Sequence, residues 1–289
     1  MSEPIRIFVG CDPNDCDLEQ MMVLDHSLRR RASLPLQIEW MQLSHDRTSP
    51  WYSAPGATEA VDAGWRTERW ATPFSGFRWA IPALCGFAGR AIYMDTDTMA
   101  LGDIAELWQS PMDSGTVLSA RKDGGMNRFG VMLWDCAAAK HALPSLDKLQ
   151  SEPGIHRELC RHFVDRPDLV QTMDTAFNNI DGEGGPVEAI KVLHYSDMGT
   201  QFSHPRALAR LAGESQAHWF DGRVLDHPRP DLAAVFEAEF DDAIASGKRP
   251  DDYRIAERFG AFPKKSEARY KGNAVTRGPR SWWKRMFAG

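Results

Sequence analysis

The sequence predicts an α/β fold in which a mixed, mostly parallel sheet is flanked by helices. Short apolar segments typical of buried strands alternate along the chain with segments of helical periodicity. Such alternation favours parallel strands, because each crossover connection carries a helix onto one face of the sheet. The predicted strands are residues 5–10, 36–43, 91–94, 116–120, 131–134 and 192–195. The first predicted helix lies in the region of residues 21–31, and a short helix starts at residues 101–104. The other predicted helices are residues 77–88, 137–150, 153–164 and 171–180.

The composition is that of a globular protein with one large or two ordinary domains. Of the 289 residues, 43% are hydrophobic and 26% are charged, so the chain can bury a core without a disulfide or a structural metal. The five cysteines form no CxxC pair, which indicates a reducing compartment. Apolar runs fall short of the roughly 20 residues that span a bilayer, and residues 1–4 do not resemble a secretory leader. We therefore expect a cytoplasmic protein.

Charge is distributed unevenly along the chain. The net charge of −6 argues against a nucleic-acid partner. Residues 264–289 nevertheless contain eight basic residues and one acidic residue, together with Trp282, Trp283 and Phe287. We predict a domain over residues 1–260 and a basic aromatic tail over residues 261–289. Such a tail can bind an anionic membrane surface at the inner face of a membrane, and a solvated terminus is the alternative.

The motif with the clearest chemistry is the pair Asp95 and Asp97, which directly follows an apolar strand. Open α/β sheets bind ligands at the carboxyl ends of their strands. Residues two apart in an extended segment project to the same side, so both carboxylates can reach one cation. Oxygen ligands suit Mg²⁺ or Mn²⁺, which commonly bridge to substrate phosphates. The alternative is a solvated strand end without a ligand.

Two enzyme classes place an Asp-x-Asp pair at a strand end. Phosphohydrolases of the haloacid-dehalogenase type use the first aspartate as a nucleophile, and A-type glycosyltransferases use the pair to hold the metal of a nucleotide-sugar. The phosphohydrolase motif has Thr or Val two residues beyond the second aspartate, where this chain has Met99. It also normally lies on the first strand, so the sequence favours the glycosyltransferase.

The surrounding sequence resembles glycosyltransferase family 8. The resemblance rests on residues 74–82 (FSGFRWAIP), 89–97 (GRAIYMDTD) and 101–108 (LGDIAELW), in that order. Residues 7–14 (IFVGCDPN) are similar to the family's first strand and uracil-binding turn, and residues 193–201 (LHYSDMGTQ) are similar to its late histidine motif. This resemblance implies a Rossmann-like GT-A fold that transfers a hexose from a UDP-sugar with retention, using Mn²⁺ or Mg²⁺.

The resemblance also implies roles for individual residues. Asp95, Asp97 and His194 would ligate the metal, with Asp95 also near the ribose. Arg78 would neutralise the diphosphate or anchor the aspartate pair, which makes it both a catalytic and a donor-binding candidate.

The remaining implied roles concern the donor and the acceptor. Asp12 and Asn14 would contact the uridine, and Thr96 is grouped with these donor-binding residues. Asp174 would lie beneath the sugar as a catalytic residue. A glycan or lipid-linked glycan is the expected acceptor.

Two departures from the family pattern leave a second class open. The late motif lacks its usual lysine, so Gln201, His204 or a tail residue would have to replace a diphosphate contact. The family's Asn-x-Gly is stretched over residues 127–130 (NRFG). A catalytically silent nucleotide- or carbohydrate-binding relative is therefore the alternative to an active enzyme.

Overall fold

The computed structural model describes residues 3–54, 63–183, 185–220 and 223–260. The predicted basic tail over residues 261–289 lies outside the described residues. The strands are β1 (Ile5–Gly10), β2 (Leu36–Met41), β3 (Arg90–Asp95), β4 (Thr98–Ala100), β5 (Leu118–Asp123), β6 (Met126–Asp135), β7 (Val170–Thr172), β8 (Asn179–Ile180) and β9 (Val192–His194). The α-helices are α1 (Leu18–Arg31), α2 (Ile81–Leu84), α3 (Ile104–Trp108), α4 (Leu146–Ser151), α5 (Ile155–Asp165), α6 (His204–Gly213) and α7 (Pro230–Ala245).

A six-stranded mixed sheet lies at the centre of the structure, in the order β2-β1-β3-β6-β5-β7. β1 pairs in parallel with β2 and β3, and β5 pairs in parallel with β7. β6 runs antiparallel to both of its neighbours. A second sheet of three short strands, β4-β9-β8, adjoins the carboxyl end of β3. The mixed, mostly parallel sheet of the prediction is confirmed.

Side chains of the central strand β3 enter two different cores. Ala91 and Tyr93 contact a core that includes residues of α5, whereas Ile92 and Met94 contact a core that includes residues of α1 and α3. This alternation follows from the two-residue period of a strand. The helices therefore cover both faces of the sheet, with α1 and α5 on opposite sides of it. A third core joins α1 to α7 and β9.

Several predicted elements differ from those observed. The helix predicted over residues 171–180 is wrong: the segment contains the end of β7, a 3₁₀-helix at Thr175–Asn178, and β8. The predicted helix over residues 77–88 is limited to a 3₁₀-helix at Phe77–Trp79 and to α2, with Pro82 in its first turn. α6 (His204–Gly213) and α7 (Pro230–Ala245) lie in a part of the chain for which no element was predicted.

Membrane-spanning helices are absent from the described part of the chain, where no helix combines the necessary length with sufficient apolarity.

We predict an acid-sensitive fold because of two buried histidines. Burial lowers the pKa of His218 to about 3 and that of His204 to about 4, whereas the imidazole of an unfolded chain has a pKa of about 6.5. Below that pH the unfolded chain binds protons that the folded chain does not. The free energy of unfolding should then fall by up to about 1.4 kcal/mol per pH unit for each histidine, down to about pH 4.

Urea unfolding between pH 7 and pH 4.5 measures this slope. His218→Asn offers an uncharged acceptor in place of the Nδ1 atom that accepts from the Phe220 amide. This variant should lose the contribution of one histidine, so its free energy of unfolding should fall less steeply between pH 7 and pH 4.5 than that of the wild type. An unchanged slope in the variant would show that His218 does not cause the acid sensitivity.

Candidate functional site

Asp95, Asp97 and His194 lie together at the carboxyl end of β3. β3 ends at Asp95, and the antiparallel pairing of β4 with β9 sets His194 opposite Thr98. The Nε2 atom of His194 lies 3.2 Å from Asp97 Oδ1 and 4.0 Å from Asp95 Oδ2. One ligand atom from each of the three residues lies within 4.8 Å of the others. The structure thus brings together the three residues predicted to hold a metal.

The orientation of His194 leaves its Nε2 atom available as a ligand. Its Nδ1 atom lies 2.9 Å from Asn178 Oδ1, and Asn178 Nδ2 donates to the Arg128 carbonyl at 3.2 Å. Because the amide nitrogen of Asn178 is used as a donor, its oxygen accepts from His194 Nδ1–H. The neutral tautomer then has its lone pair on Nε2, as metal-ligating histidines require.

Gly130 allows the β6 backbone to approach this cluster closely. A Cβ atom at this position would lie 2.2 Å from His194 Cε1 and 3.0 Å from Asp95 Oδ2. Separations this short exclude any side chain unless the imidazole moves. Gly130 therefore lets two of the three ligands pack against the backbone of the sheet.

Arg78 and Tyr93 fix one oxygen of Asp95. Arg78 Nη2 donates to Asp95 Oδ1 at 3.0 Å, and the Tyr93 hydroxyl donates to the same oxygen. Arg78 also donates to the carbonyls of Ser75 and Phe129. Of the two roles suggested for Arg78, the observed contacts are those of an anchor for Asp95. The Oδ2 atom is left facing His194.

Asp97 is held from the opposite side by a chain of amides. Gln201 Nε2 donates to Asp97 Oδ2 at 2.9 Å, and Gln20 of α1 donates to Gln201 Oε1 at 2.9 Å. The Tyr195 amide donates to the Asp97 carbonyl at 3.0 Å. Gln201, the residue that departs from the family's late motif, is thus a buried neutral partner of Asp97.

The electrostatics of the cluster favour a bound cation. Burial raises the pKa of Asp95, the charge of Asp97 raises it further, and Arg78 opposes both. Burial lowers the pKa of His194, but the carboxylates of Asp97 and Asp95 outweigh that effect and raise it above its ordinary value. Two carboxylates that lie close together while partly buried repel each other, and a divalent cation relieves that repulsion. The donor set of two carboxylates and one imidazole fits Mn²⁺ or Mg²⁺.

The cluster forms part of the wall of a cavity of about 560 Å³. Arg78, Asp95, Asp97 and His194 all line it. Other lining residues come from the loop before the Phe77–Trp79 helix, from β6 and from α5. The volume is in the range of small-molecule sites.

The predicted uridine-binding residues lie in the turn after β1, outside the residues that line this cavity. Asp12 Oδ1 accepts from the amides of Asn14 and Cys16, while its Oδ2 atom is buried without a hydrogen-bond partner among the described residues. Burial raises the pKa of Asp12 to about 6. The Asn14 amide pairs with the backbone of Gly260 through two hydrogen bonds of 2.9 and 2.7 Å. Their predicted contacts with uridine remain predictions.

Thr96 and Asp174 are placed in roles that maintain local structure. The Thr96 hydroxyl is buried and donates to the Gly10 carbonyl. Asp174 is exposed, and its carboxylate caps the Thr175–Asn178 helix by accepting from the Ala176 amide at 2.9 Å. Asp174 does not line the cavity, so its predicted position beneath a sugar gains no support from the structure.

Comparisons with known proteins bear on the fold. No protein-family model matches the chain. It is 25% identical over 224 residues to Protein CDI of Arabidopsis thaliana, and this alignment covers 69% of this chain and 80% of that protein. The solved glycosyltransferase GlyE of Streptococcus pneumoniae TIGR4 aligns with a TM-score of 0.53 at 13% identity, over 85% of this chain and 64% of GlyE. The chain has a GT-A fold.

Further solved neighbours are the bifunctional glycosyltransferase WbbM and the galactosyltransferase LgtC. They align with TM-scores of 0.46 and 0.43 at 12% identity. The WbbM alignment covers 68% of this chain and 46% of WbbM, and the LgtC alignment covers 73% of this chain and 96% of LgtC. The chain thus spans less than two thirds of both GlyE and WbbM. The likeness to GlyE shows the fold of this chain and leaves its activity open.

We predict that Gly130→Ala weakens metal binding at this GT-A site. The added methyl group has to displace the His194 ring, so the affinity for Mn²⁺ should fall at least tenfold, in the range found when the support of a metal ligand is removed. Calorimetric titration with Mn²⁺ measures the change.

Gly213→Ala is the matched control, because a Cβ atom there meets nothing within 4 Å. Both variants should keep the far-ultraviolet circular dichroism of the wild type. Equal Mn²⁺ affinity in the wild type and in a folded Gly130→Ala variant would contradict the placement of the metal beside His194.

Proposed function

We propose that this protein is a metal-dependent glycosyltransferase that moves a hexose from a UDP-sugar to a glycan or lipid-linked glycan acceptor with retention. The observation that carries the proposal is the Asp95, Asp97 and His194 cluster, which lines a cavity at the carboxyl end of β3 in a GT-A fold. Ligands of open α/β sheets bind at this edge.

The chain's own groups prepare the cluster for a cation. Arg78 and Tyr93 occupy Asp95 Oδ1, Asn178 sets the tautomer of His194, and Gln201 occupies Asp97 Oδ2. Each of the three ligands thus keeps one atom directed at the others. A bound Mn²⁺ or Mg²⁺ supplies positive charge that stabilises the negative charge formed on the departing diphosphate. We favour Mn²⁺ because an imidazole joins the two carboxylates.

The nucleotide is proposed to lie beside the turn after β1. Gly10, the last residue of β1, pairs with Asp95 of β3, so the turn that contains Asp12 and Asn14 begins next to the metal cluster. Asp12 has a buried oxygen without a described partner, which a ribose hydroxyl can satisfy. For Asn14 to contact uracil, its amide has to exchange Gly260 for the base.

The acceptor and the location of the protein remain proposals as well. A cytoplasmic protein whose tail over residues 261–289 binds the inner face of a membrane would meet a lipid-linked acceptor there.

Calorimetric titration of UDP, with and without Mn²⁺, tests the donor and metal assignments. We expect wild-type protein to bind UDP tightly only with Mn²⁺. Asp97→Asn should reduce that affinity at least tenfold, because a neutral amide in place of the carboxylate removes one charged ligand. Asp241→Asn is the matched control, since the Asp241 side chain is 77% exposed on α7 and does not line the cavity. Metal-independent UDP binding, or equal binding by both variants, would contradict the proposal.

A catalytically silent relative is the second candidate, and it is favoured by one observation. Gln201 stands in the late motif where the family has a lysine, and its amide is bound to Asp97. Slow hydrolysis of UDP-hexoses in the presence of Mn²⁺ separates the candidates, since a binding protein produces no UDP. We expect release of UDP by the wild type and its loss in Asp97→Asn.

A further inference from the structure

Helix α5 has two sides with different surroundings. Ile155, Leu159 and Phe163, spaced four residues apart, enter the core beneath the sheet. Arg157, Arg161 and Val164 line the cavity instead. A residue advances by 100° around an α-helix, so these three positions lie on one side of α5, turned away from the core-facing stripe. α5 therefore forms one wall of the cavity. His156, Cys160 and Asp165 of this helix also line it, so the wall carries two arginines and one carboxylate.

Arg69 extends this wall beyond the start of the helix. It lines the same cavity, and its Nη1 atom lies 3.7 Å from the position that a Cβ atom would take at Gly154, the residue that precedes α5. Arg69 and Arg161 are both exposed, and neither forms an ion pair within the described residues. The other three lining arginines differ: Arg78 is bound to Asp95, Arg128 is bound to Asp123, and Arg157 also has an interaction partner.

The wall also presents an apolar side chain. Val164 is 40% exposed, and no other large hydrophobic residue in the described part of the chain is exposed. A sugar ring has apolar C–H faces as well as hydroxyls, so a valine beside two guanidinium groups suits a saccharide that bears a negative charge. Guanidinium groups bind phosphate and carboxylate through paired hydrogen bonds.

The arginine wall lies away from the turn after β1, where the nucleotide is proposed to bind. α5 contacts the core on one face of the central sheet, whereas the turn with Asp12 leads into α1 on the other face. Asp12 and Asn14 do not line the cavity. The arginine wall and the metal cluster therefore line the same cavity, whereas the residues proposed to contact the nucleotide lie outside its lining.

We propose that Arg69, Arg157 and Arg161 form an acceptor subsite for a saccharide that carries an anionic group, either a phosphate or a carboxylate. This inference rests on the proposed glycosyltransferase function and adds the chemical class of the acceptor.

Binding of three monosaccharides tests the subsite. Glucose 6-phosphate, glucuronic acid and glucose are titrated into the full-length protein and followed by nuclear magnetic resonance, both with and without UDP and Mn²⁺. The wild type should bind one or both charged sugars at least tenfold more tightly than glucose. Preference for glucose 6-phosphate identifies a phosphate site, and preference for glucuronic acid identifies a carboxylate site.

Variants assign the preference to the wall. The double variant Arg157→Gln with Arg161→Gln should lose the preference for charged sugars, and Arg69→Gln should reduce it. Arg166→Gln is the control, because Arg166 follows α5, pairs with Asp168 and does not line the cavity. Thermal unfolding shows that each variant is folded.

Three results would overturn the inference: equal binding of all three sugars by the wild type, a preference that survives in the double variant, or a preference lost equally in Arg166→Gln. Loss of Mn²⁺-dependent UDP binding in the double variant would also overturn it, by assigning these arginines to the donor diphosphate. If the wild type fails to bind UDP, the glycosyltransferase proposal fails, and the sugar titrations without UDP still decide whether the wall binds anions.

Discussion

The buried ion pair between Arg78 and Asp95 is the contact on which the geometry of the site depends. Arg78 is 7% exposed and links three segments, because it donates to the Ser75 carbonyl, to the Phe129 carbonyl on β6 and to Asp95 at the end of β3. Removing one partner of such a pair leaves the other charge buried, at a cost of about 3–5 kcal/mol. The same interaction therefore holds the loop against the sheet and directs Asp95 Oδ2 at His194.

The site concentrates charges that do not fully compensate one another. Arg78 neutralises one carboxylate, so the second is left with His194 and with the neutral amide of Gln201. The surroundings hold His194 in place: Asn178 is buried and bonded on both sides of its amide, and the backbone at Gly130 packs directly against the imidazole. Groups preorganised in this way bind a cation without the free-energy cost of reordering their side chains.

Neighbouring residues alone predict the aspartate pair of the site, whereas His194 and Arg78 were predicted only from the resemblance to a family. Asp95 and Asp97 follow an apolar strand, and local order alone places both at its end. Asn178 could not be predicted, since its role depends on contacts with His194 and with the Arg128 carbonyl, which are distant in sequence.

The wrongly predicted helix has a related cause. Met173, Phe177 and Ile180 are spaced as on a helix, but the segment begins with β7, whose pairing with β5 prevails over that periodicity. The same competition between local pattern and strand pairing explains why the sheet was predicted better than its connections.

Gln201 shows how a departure from a family pattern acquires a physical meaning. Under the proposed function a lysine there would add a positive charge beside the donor's diphosphate. Gln201 instead donates a neutral hydrogen bond to Asp97 and is itself held by Gln20 of α1. A neutral donor satisfies one carboxylate oxygen without cancelling its charge. Asp97 therefore keeps its full attraction for a cation, and under the proposed function that cation supplies charge that a lysine would otherwise have supplied to the diphosphate. The substitution makes the proposed chemistry depend more strongly on the metal.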